Sequence, residues 1–512
     1  MPVLVLRKTG TPPDATIRYC TRGFSLGLHW PAGVGILIVV CVNRTKKSIR
    51  GKPLMNRALL GMLVSATIVF GLTNAGRAEP SKQLRVATFS SDVTPPIDGH
   101  PLIWIVPAKT IETPLLAKGI VLDDGQNRYV LCAVDWCGLC NSSHRLFRSK
   151  IAAAAGTDIS RVAVQTVHQH TAPYTDGDTQ KLLDQERDPP RYVDFQFLDE
   201  ITDRLAAAVR ASLDRLQPFD RIGTGQTKVE RVASCRRVVT PEGKHVTRWS
   251  SCKDPAVIAL PEGPIDPFLK TITLAQGDRP LVRLHYYATH PQTFYNDPRV
   301  SGDMPAFARE RLEKKERVFQ VYFTGCSGNV TLGKYNNGTP EARDELTERL
   351  YEGMEGAVAA TKYAPANELA WRSVPLVLAA RTDPGYIVAE RRAKMADPKV
   401  NATLRVRAAT SVAFAQRSSQ PLDLCRLQIG RAQILCLPGE CMIEYQHYAQ
   451  QQRPDDFVAV AAYGDLGTGY ICTAKAFAEG GYEPTASHTG PETEPLLKAA
   501  IRQLLGVEAS DR

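Results

Sequence analysis

The stretch VAVQTVHQHTAPYTD, residues 162–176, organises the reading of this chain. Its first part, Val162 to Val167, is rich in β-branched residues and predicts a strand. That strand runs into His168-Gln169-His170. Alternate residues of a strand share a face, so both imidazoles are expected to point the same way. Pro173 then stops the strand. Two histidines on one face at the C-terminal end of a strand can hold a metal or run acid–base chemistry. A lone H-x-H pair is also common on surfaces and in cores, so the rest of the chain has to decide.

Outward from this stretch, strands and helices alternate. VATFSSDVTPP (86–96) is strand-like and broken by Pro95-Pro96. Ile120 to Asp124 and Tyr129 to Val134 flank a turn at Asp124-Gly125, a hairpin signal. His144 to Ala155 reads as a helix. Phe195 to Leu216 reads as a longer one, with Leu198, Ile201, Leu205, Val209 and Leu213 at helical spacing. Strands are expected at Leu281–Tyr287, Val318–Phe323, Cys425–Leu437 and Phe457–Tyr463, and helices at Met304–Lys315, Pro340–Ala360 and Met442–Gln451. The pattern predicts an α/β or α+β fold with mixed sheets and flanking helices, not a sandwich. No short-period repeat, low-complexity tract or long linker is visible. One large domain, of one or two lobes, is expected over about residues 85–508.

From Met55 the chain reads MNRALLGMLVSATIVFGLTNAGRAEP. Arg57 gives a positive start, Ala58 to Leu72 an apolar stretch, and Gly76-Arg77-Ala78 a small-x-small cleavage site before Glu79. Residues 55–78 are therefore expected to be a signal peptide, with 1–54 an upstream extension and 79–512 the mature catalytic domain. The second reading is a cytoplasmic tail with an uncleaved anchor, though the apolar run is short for a span. Cleavage changes the charge argument. The whole chain has 63 Lys+Arg and 53 Asp+Glu, net +10. Residues 1–78 hold 11 Lys+Arg and Asp14 as the sole acid, which leaves 52 of each sign. No polybasic patch remains to argue for nucleic acid.

Ten of the twelve cysteines lie after residue 78. Export permits disulfides, with Cys235 and Cys252 around a polar excursion and Cys425, Cys436 and Cys441 clustered, but the pairing is not readable. Cys132, Cys137 and Cys140 have an iron–sulfur spacing. Cys132 sits inside an apolar strand and no partner cysteine follows at a convincing position, so buried thiols or disulfides are the better reading.

Four further segments carry chemistry at strand ends or turns. In LHYYATHPQTFYNDPRVSGD (284–303) an apolar strand ends in His290-Pro291, with His285 on the opposite face and Asp303 after Ser301-Gly302. In FTGCSGNVTLGKYNNG (323–338) a strand enters a Gly-rich turn, which either offers free N–H groups to an oxyanion or is only a tight connection. In ILCLPGECMIEY (434–445) a buried strand ends at Pro438-Gly439, and Glu440 opens a helix, where a plain cap is the competing reading. YGDLGTGYICTAKAFAEGGYEP (463–484) sets Tyr470 and Tyr482 among glycines. Two His and one Glu, each at the end of a separate strand, make a sensible catalytic zinc set with a position open for water.

The order of these landmarks resembles the catalytic domain of the neutral/alkaline (non-lysosomal) ceramidases. Asp92-Val-Thr-Pro-Pro96 resembles that family's D-x-T-P start, and PLLAKGIVLDDG (114–125) its P-L-x-A-R-A-x-V-L segment, with Asp135 at the acidic position that follows. HQHTAP (168–173) is similar to H-T-H-S-G-P, ATHPQT (288–293) to x-x-H-P-T, with SGD (301–303) behind it, and LPGE (437–440) to v-P-G-E. Tyr470, with Tyr482-Glu483 and YEPTAS after it, matches the Y-x-x-T-T run that ends in Y-E-G-A-S-T.

The resemblance implies Zn2+ held by His168, His290, Glu440 and Tyr470, with His170 beside it handling protons. It implies Arg236, in SCRR (234–237), as the active-site arginine, with Arg237 adjacent. Arg236 and Tyr482 become candidates for the oxyanion, and Thr331 stands where the family carries a serine. GNVTLG (328–333) departs from the family's G-D/N-x-S-P-N and DLGTGY (465–470) from G-L-S-N-x-Y, and the family's C-terminal sandwich-like domain is not expected. The implied activity is an exported zinc amidohydrolase acting on a small-molecule or lipid N-acyl substrate such as a ceramide-like sphingolipid, with room for peripheral membrane contact. An esterase or non-lipid amidase on the same scaffold, and a non-catalytic zinc-containing binding protein, remain the alternatives.

Overall fold

The computed structural model describes residues 83–508, together with the backbone of an antiparallel hairpin, Ile17–Thr21 and Phe24–Leu28. The signal-like segment 55–78 lies outside the described residues, as does the rest of 1–54. The hairpin belongs to one compact unit, and everything below concerns the other, Arg77–Arg512.

The observed α/β architecture is built from one motif used three times. In the first sheet Arg85–Asp92, Leu116–Asp123 and Arg128–Val134 run antiparallel, and Val162–Thr166 adds in parallel to the last of them. In the second, Arg221–Lys228, Phe268–Gln276 and Arg279–Tyr287 do the same, with Phe319–Thr324 parallel. In the third the strands are Leu369–Leu376, Leu422–Ile429 and Ala432–Cys436, with Phe457–Ala461 parallel. A parallel neighbour needs a crossover. Helices Asn141–Ala155, Asp303–Glu316 and Ile443–Gln452 provide it, and a second helix follows each unit, Phe195–Ser212, Pro340–Ala359 and Thr493–Leu505. The repeat is far longer than the periods that a residue-by-residue scan detects.

The central strands are buried almost end to end, as helix-covered mixed sheets require. Phe195–Ser212 packs on the first sheet through the predicted stripe of Leu198, Ile201, Leu205 and Val209. Asp194 caps it by accepting from the Phe197 amide, and its last turn tightens into a 3-10 turn at Leu213–Arg215. The run 425–437, expected as one strand, is instead a hairpin that turns at Gly430 with φ +56°. That left-handed residue marks the reversal inside a run of strand-like alternation.

The three parallel pairs meet at their C-terminal ends. Gln165 donates to the carbonyls of Leu437, Ala461 and Ala462. The Ala462 amide donates to Thr324, and the Thr324 hydroxyl donates to the Val167 carbonyl at 2.6 Å. Ligand sites in α/β folds collect where strand ends converge. All ten described cysteines are free thiols, nine of them buried, so no disulfide joins the described residues.

Candidate active site

The first parallel strand stops at Thr166, earlier than expected. His168 has φ +71°, so it lies in a turn and not on a strand face. The two imidazoles still meet, 5.0 Å apart at 88°, but through backbone reversal instead of strand alternation. His290 lies beyond its strand, which ends at Tyr287, and its amide donates to Val330. Glu440 does not open a helix. It pairs with Tyr470 in a two-residue parallel ladder, and the helix begins at Ile443.

His168 Nδ1 donates to the Cys137 carbonyl and His290 Nδ1 to the Ser327 carbonyl, both at 2.6 Å. A carbonyl only accepts, so each ring carries its proton on Nδ1 and turns a bare Nε2 inward. The two Nε2 atoms lie 3.2 Å apart. Glu440 Oε2 is 3.3 Å from the first and 3.1 Å from the second. The two Nε2 atoms and the carboxylate oxygen thus face one another as ligand-type atoms. Their spacing is that of adjacent corners of a tetrahedron, about 3.3 Å for ligand bonds near 2.0 Å. The donor set thus fits a divalent cation. Tyr470 Oη, 3.4 Å from His290 Nε2, is positioned for a fourth contact. Burial, aided by the charge of Arg236, pushes His290 down to about 4, so the ring is neutral near pH 7.

Cys137, His168 and His170 form a second group of ligand type. Burial holds the Cys137 thiol well above its ordinary value, and His168 Nδ1 is already committed to the Cys137 carbonyl. That group does not compete for the ion.

His170 is 8% exposed, and neither ring nitrogen has a hydrogen-bond partner. It sits between Trp104, at 5.1 Å, and His168. Burial, then the two neighbouring histidines, pushes it well below its ordinary value. Arg236 is buried, donates to Tyr470 Oη at 3.0 Å, and lies over the Tyr482 ring at 5.4 Å. Arg237 pairs with Glu479 and Glu483. Both arginines reach Glu483, Arg236 at 4.0 Å and Arg237 at 3.0 Å, but Arg236 is the one that bonds Tyr470. Tyr482 packs edge-on to Tyr470 at 5.6 Å.

Four amides of the Gly-rich turn are already committed. Gly325 N donates to Tyr287, Cys326 N to Gln446, Gly328 N to Cys441 and Val330 N to Ser327. Its role is to join segments. A Cβ on Gly328 would strike the Glu440 carbonyl, Asn329 accepts from Ile443 N, and its carbonyl accepts from Arg236 N. Thr331 donates to Ser250 Oγ at 2.5 Å, and Ser250 donates to Gln292 at 2.8 Å, two residues past His290. Thr331 therefore touches the site at one remove. Asp135 is bound to Arg309 through both oxygens, at 2.7 and 2.8 Å, which is a scaffold contact.

Ser327 and Tyr463 were not anticipated. The Tyr463 ring stacks on His168 at 4.2 Å and its hydroxyl bonds Ser327 Oγ at 2.6 Å. Tyr463 has φ +64°, which no local sequence pattern announces. Trp104 was likewise unforeseen, and it too is left-handed, φ +57°. A bulky residue in that region marks strain held by its surroundings.

A cavity of about 350 Å3 opens on this centre. His168, His170, Glu440 and Tyr470 line its inner end. Ile103, Trp104, Ile105, Leu404 and Val406 give it an apolar wall.

Two solved structures share this fold. Neutral ceramidase from Pseudomonas aeruginosa aligns over 84% of this chain and 75% of its own, with a TM-score of 0.61 and 15% identity. A ceramidase complexed with C2 aligns over 84% of this chain and 77% of its own, with a TM-score of 0.62 and 14% identity. At those identities the likeness establishes a ceramidase-like fold. No family model matches the chain, and no curated protein matches its sequence.

Proposed function

We propose that this chain is an exported zinc-dependent hydrolase of N-acyl amide bonds. The observation that carries the reading is the set of bare acceptors, His168 Nε2, His290 Nε2 and Glu440 Oε2, converging at the foot of a half-apolar cavity. Two imidazoles and a carboxylate, with a phenol nearby, favour zinc over the all-oxygen cations. Zinc, when bound, supplies Lewis acidity that activates water and polarises a carbonyl at neutral pH.

The remaining chemistry belongs to the side chains. The Cys137 and Ser327 carbonyls hold the two ligand rings in the required tautomer and orientation. Arg236, with the Tyr482 hydroxyl, provides positive charge and a donor for the oxygen that becomes negative as water adds to the acyl carbon. His170 has both ring nitrogens free, so it can take a proton from the attacking water and return it to the leaving nitrogen as the C–N bond breaks. The apolar wall suits an acyl chain. The likeness in fold to ceramidases favours a ceramide-like lipid, with peripheral contact to a membrane. The signal-like segment before Glu79 is the ground for export. Among the described residues no helix is long and apolar enough to cross a membrane.

The test is elemental analysis of the purified protein joined to a panel of N-acyl and O-acyl substrates of matched chain length. Zinc with amide hydrolysis is the expected result. Hydrolysis of esters alone would make it an esterase, and bound metal without turnover a binding protein.

A further inference from the structure

Helices Val388–Ala396 and Ala402–Arg417 contribute the outer wall of the cavity. Three cations face it, Arg391 and Lys394 one turn apart on the first helix and Arg407 on the second. Arg407 stands on one stripe with Thr403 and Thr410, which also line the cavity. Among the described lining residues Glu440 is the sole carboxylate, and it faces His168 and His290.

Three arginines near this wall find partners. Arg381 binds Asp383 at 2.5 Å, and Arg417 binds Asp465. Arg405 donates to the carbonyls of Met395, Asp188 and Arg187. Arg391, Lys394 and Arg407 form no ion pair among the described residues. Arg391 Nε is buried without any partner, while its guanidinium lies 4.4 Å from the centre of the Tyr386 ring. An unpaired guanidinium held by stacking keeps its in-plane donors for something else. The mature chain is neutral overall, so this positive wall is local. It is not part of a generally basic surface.

We propose that the substrate carries an anionic group, a carboxylate, sulfate or phosphate, which Arg391, Lys394 and Arg407 receive at the cavity mouth while its acyl chain lies along Trp104, Ile105 and Leu404. This rests on the N-acyl hydrolase reading and narrows it, from neutral lipids to N-acyl compounds with an acidic head group. The positive wall raises the local concentration of such a substrate, and added salt weakens that attraction.

The test separates binding from turnover. Two probes of equal chain length are used, N-dodecanoylglycine and its neutral N-methylamide. Their dissociation constants are measured by calorimetry on the full protein and on Lys394→Gln/Arg407→Gln, whose substituted side chains are exposed. The wild type should bind the anionic probe at least tenfold more tightly, and the double variant should shrink that ratio at least fivefold. Arg391→Lys, which keeps charge but loses the planar fork, should reduce it less than Arg391→Gln. Dodecyl phosphate and dodecyl sulfate then rank the head groups. Equal affinity for both probes overturns the proposal, even if both are hydrolysed. Tight anionic binding without hydrolysis upholds it and removes the hydrolase reading instead. Vesicles of phosphatidylglycerol and phosphatidylcholine form the last arm. Loss of phosphatidylglycerol binding in the double variant, with the probe ratio unchanged, would assign the cations to a membrane surface and overturn the proposal.

Discussion

Glu440 and Tyr470 are register partners in a parallel ladder of two residues. That pairing carries a carboxylate from one strand end and a phenol from a later loop to the same imidazole, His290, at 3.1 and 3.4 Å. It also carries Tyr470 to Arg236. Two backbone positions thus couple the proposed metal ligands to the charge proposed to meet the oxyanion.

Metal content follows from the bare acceptors. Protein purified without chelator should hold about one zinc per chain, and His290→Ala should lose it. Removing the metal should lower the melting temperature, because a ligand present at a hundred times its Kd adds about 2.7 kcal/mol to stability. Wild-type zinc content in His290→Ala would rule out the assigned centre.

Arg236 and Arg237 should separate in kinetics. Arg236→Lys should keep zinc and lower kcat by about a hundred- to a thousandfold, as expected on losing an oxyanion donor. Arg237→Gln breaks pairs with Glu479 and Glu483 and should act mainly on stability. The reverse ranking in kcat would exchange their roles.

Thr331 should support the reaction without serving as a nucleophile. Its hydroxyl is given to Ser250, which holds Gln292 beside the His290 turn. Thr331→Ser should keep most activity. Thr331→Val should cost roughly 1–3 kcal/mol, or about ten- to a hundredfold in rate. A trapped acyl-enzyme on Thr331 would overturn this mechanism.

Acid should destabilise the fold through histidines remote from the metal. His285 is buried between Thr271 and Gln320, and burial pushes it down to about 4. The unfolded chain protonates this ring near pH 6.5 and the folded chain does not. Stability is complete above 6.5 and falls as the pH drops toward 4, by about 3 kcal/mol for one such group. Denaturant titrations from pH 7 to pH 4 should show this slope, and His285→Gln should flatten it. An unchanged slope would move the effect elsewhere, first to His144, which is also held at about 4 by burial.

Export is tested by N-terminal sequencing of secreted or periplasmic protein. The chain should begin near Glu79. Mature protein that retains residues 1–54 would show the signal reading to be wrong.

The sequence by itself carried the local elements. Helical spacing located Phe195–Ser212, the turn signal located the hairpin of the first sheet, and strand ends pointed to His168, His290 and Glu440. These features depend on neighbours within a few positions, where periodicity and turn chemistry act. Tertiary structure decided the rest. The threefold use of one motif, the left-handed turns at His168 and Tyr463, and the hairpin inside 425–437 depend on distant packing. So does the choice of Arg236 over Arg237, since alternation along one short segment sends one guanidinium to Tyr470 and the next to Glu479. The Gly-rich turn read either as a source of oxyanion donors or as a tight connection, and several of its amides are taken by partners from remote segments, including Tyr287 and Cys441. Local sequence sets what a residue can offer. Only the convergence of three sheets determines which offers remain unclaimed, because a buried polar group is satisfied by whatever the fold brings within hydrogen-bond reach.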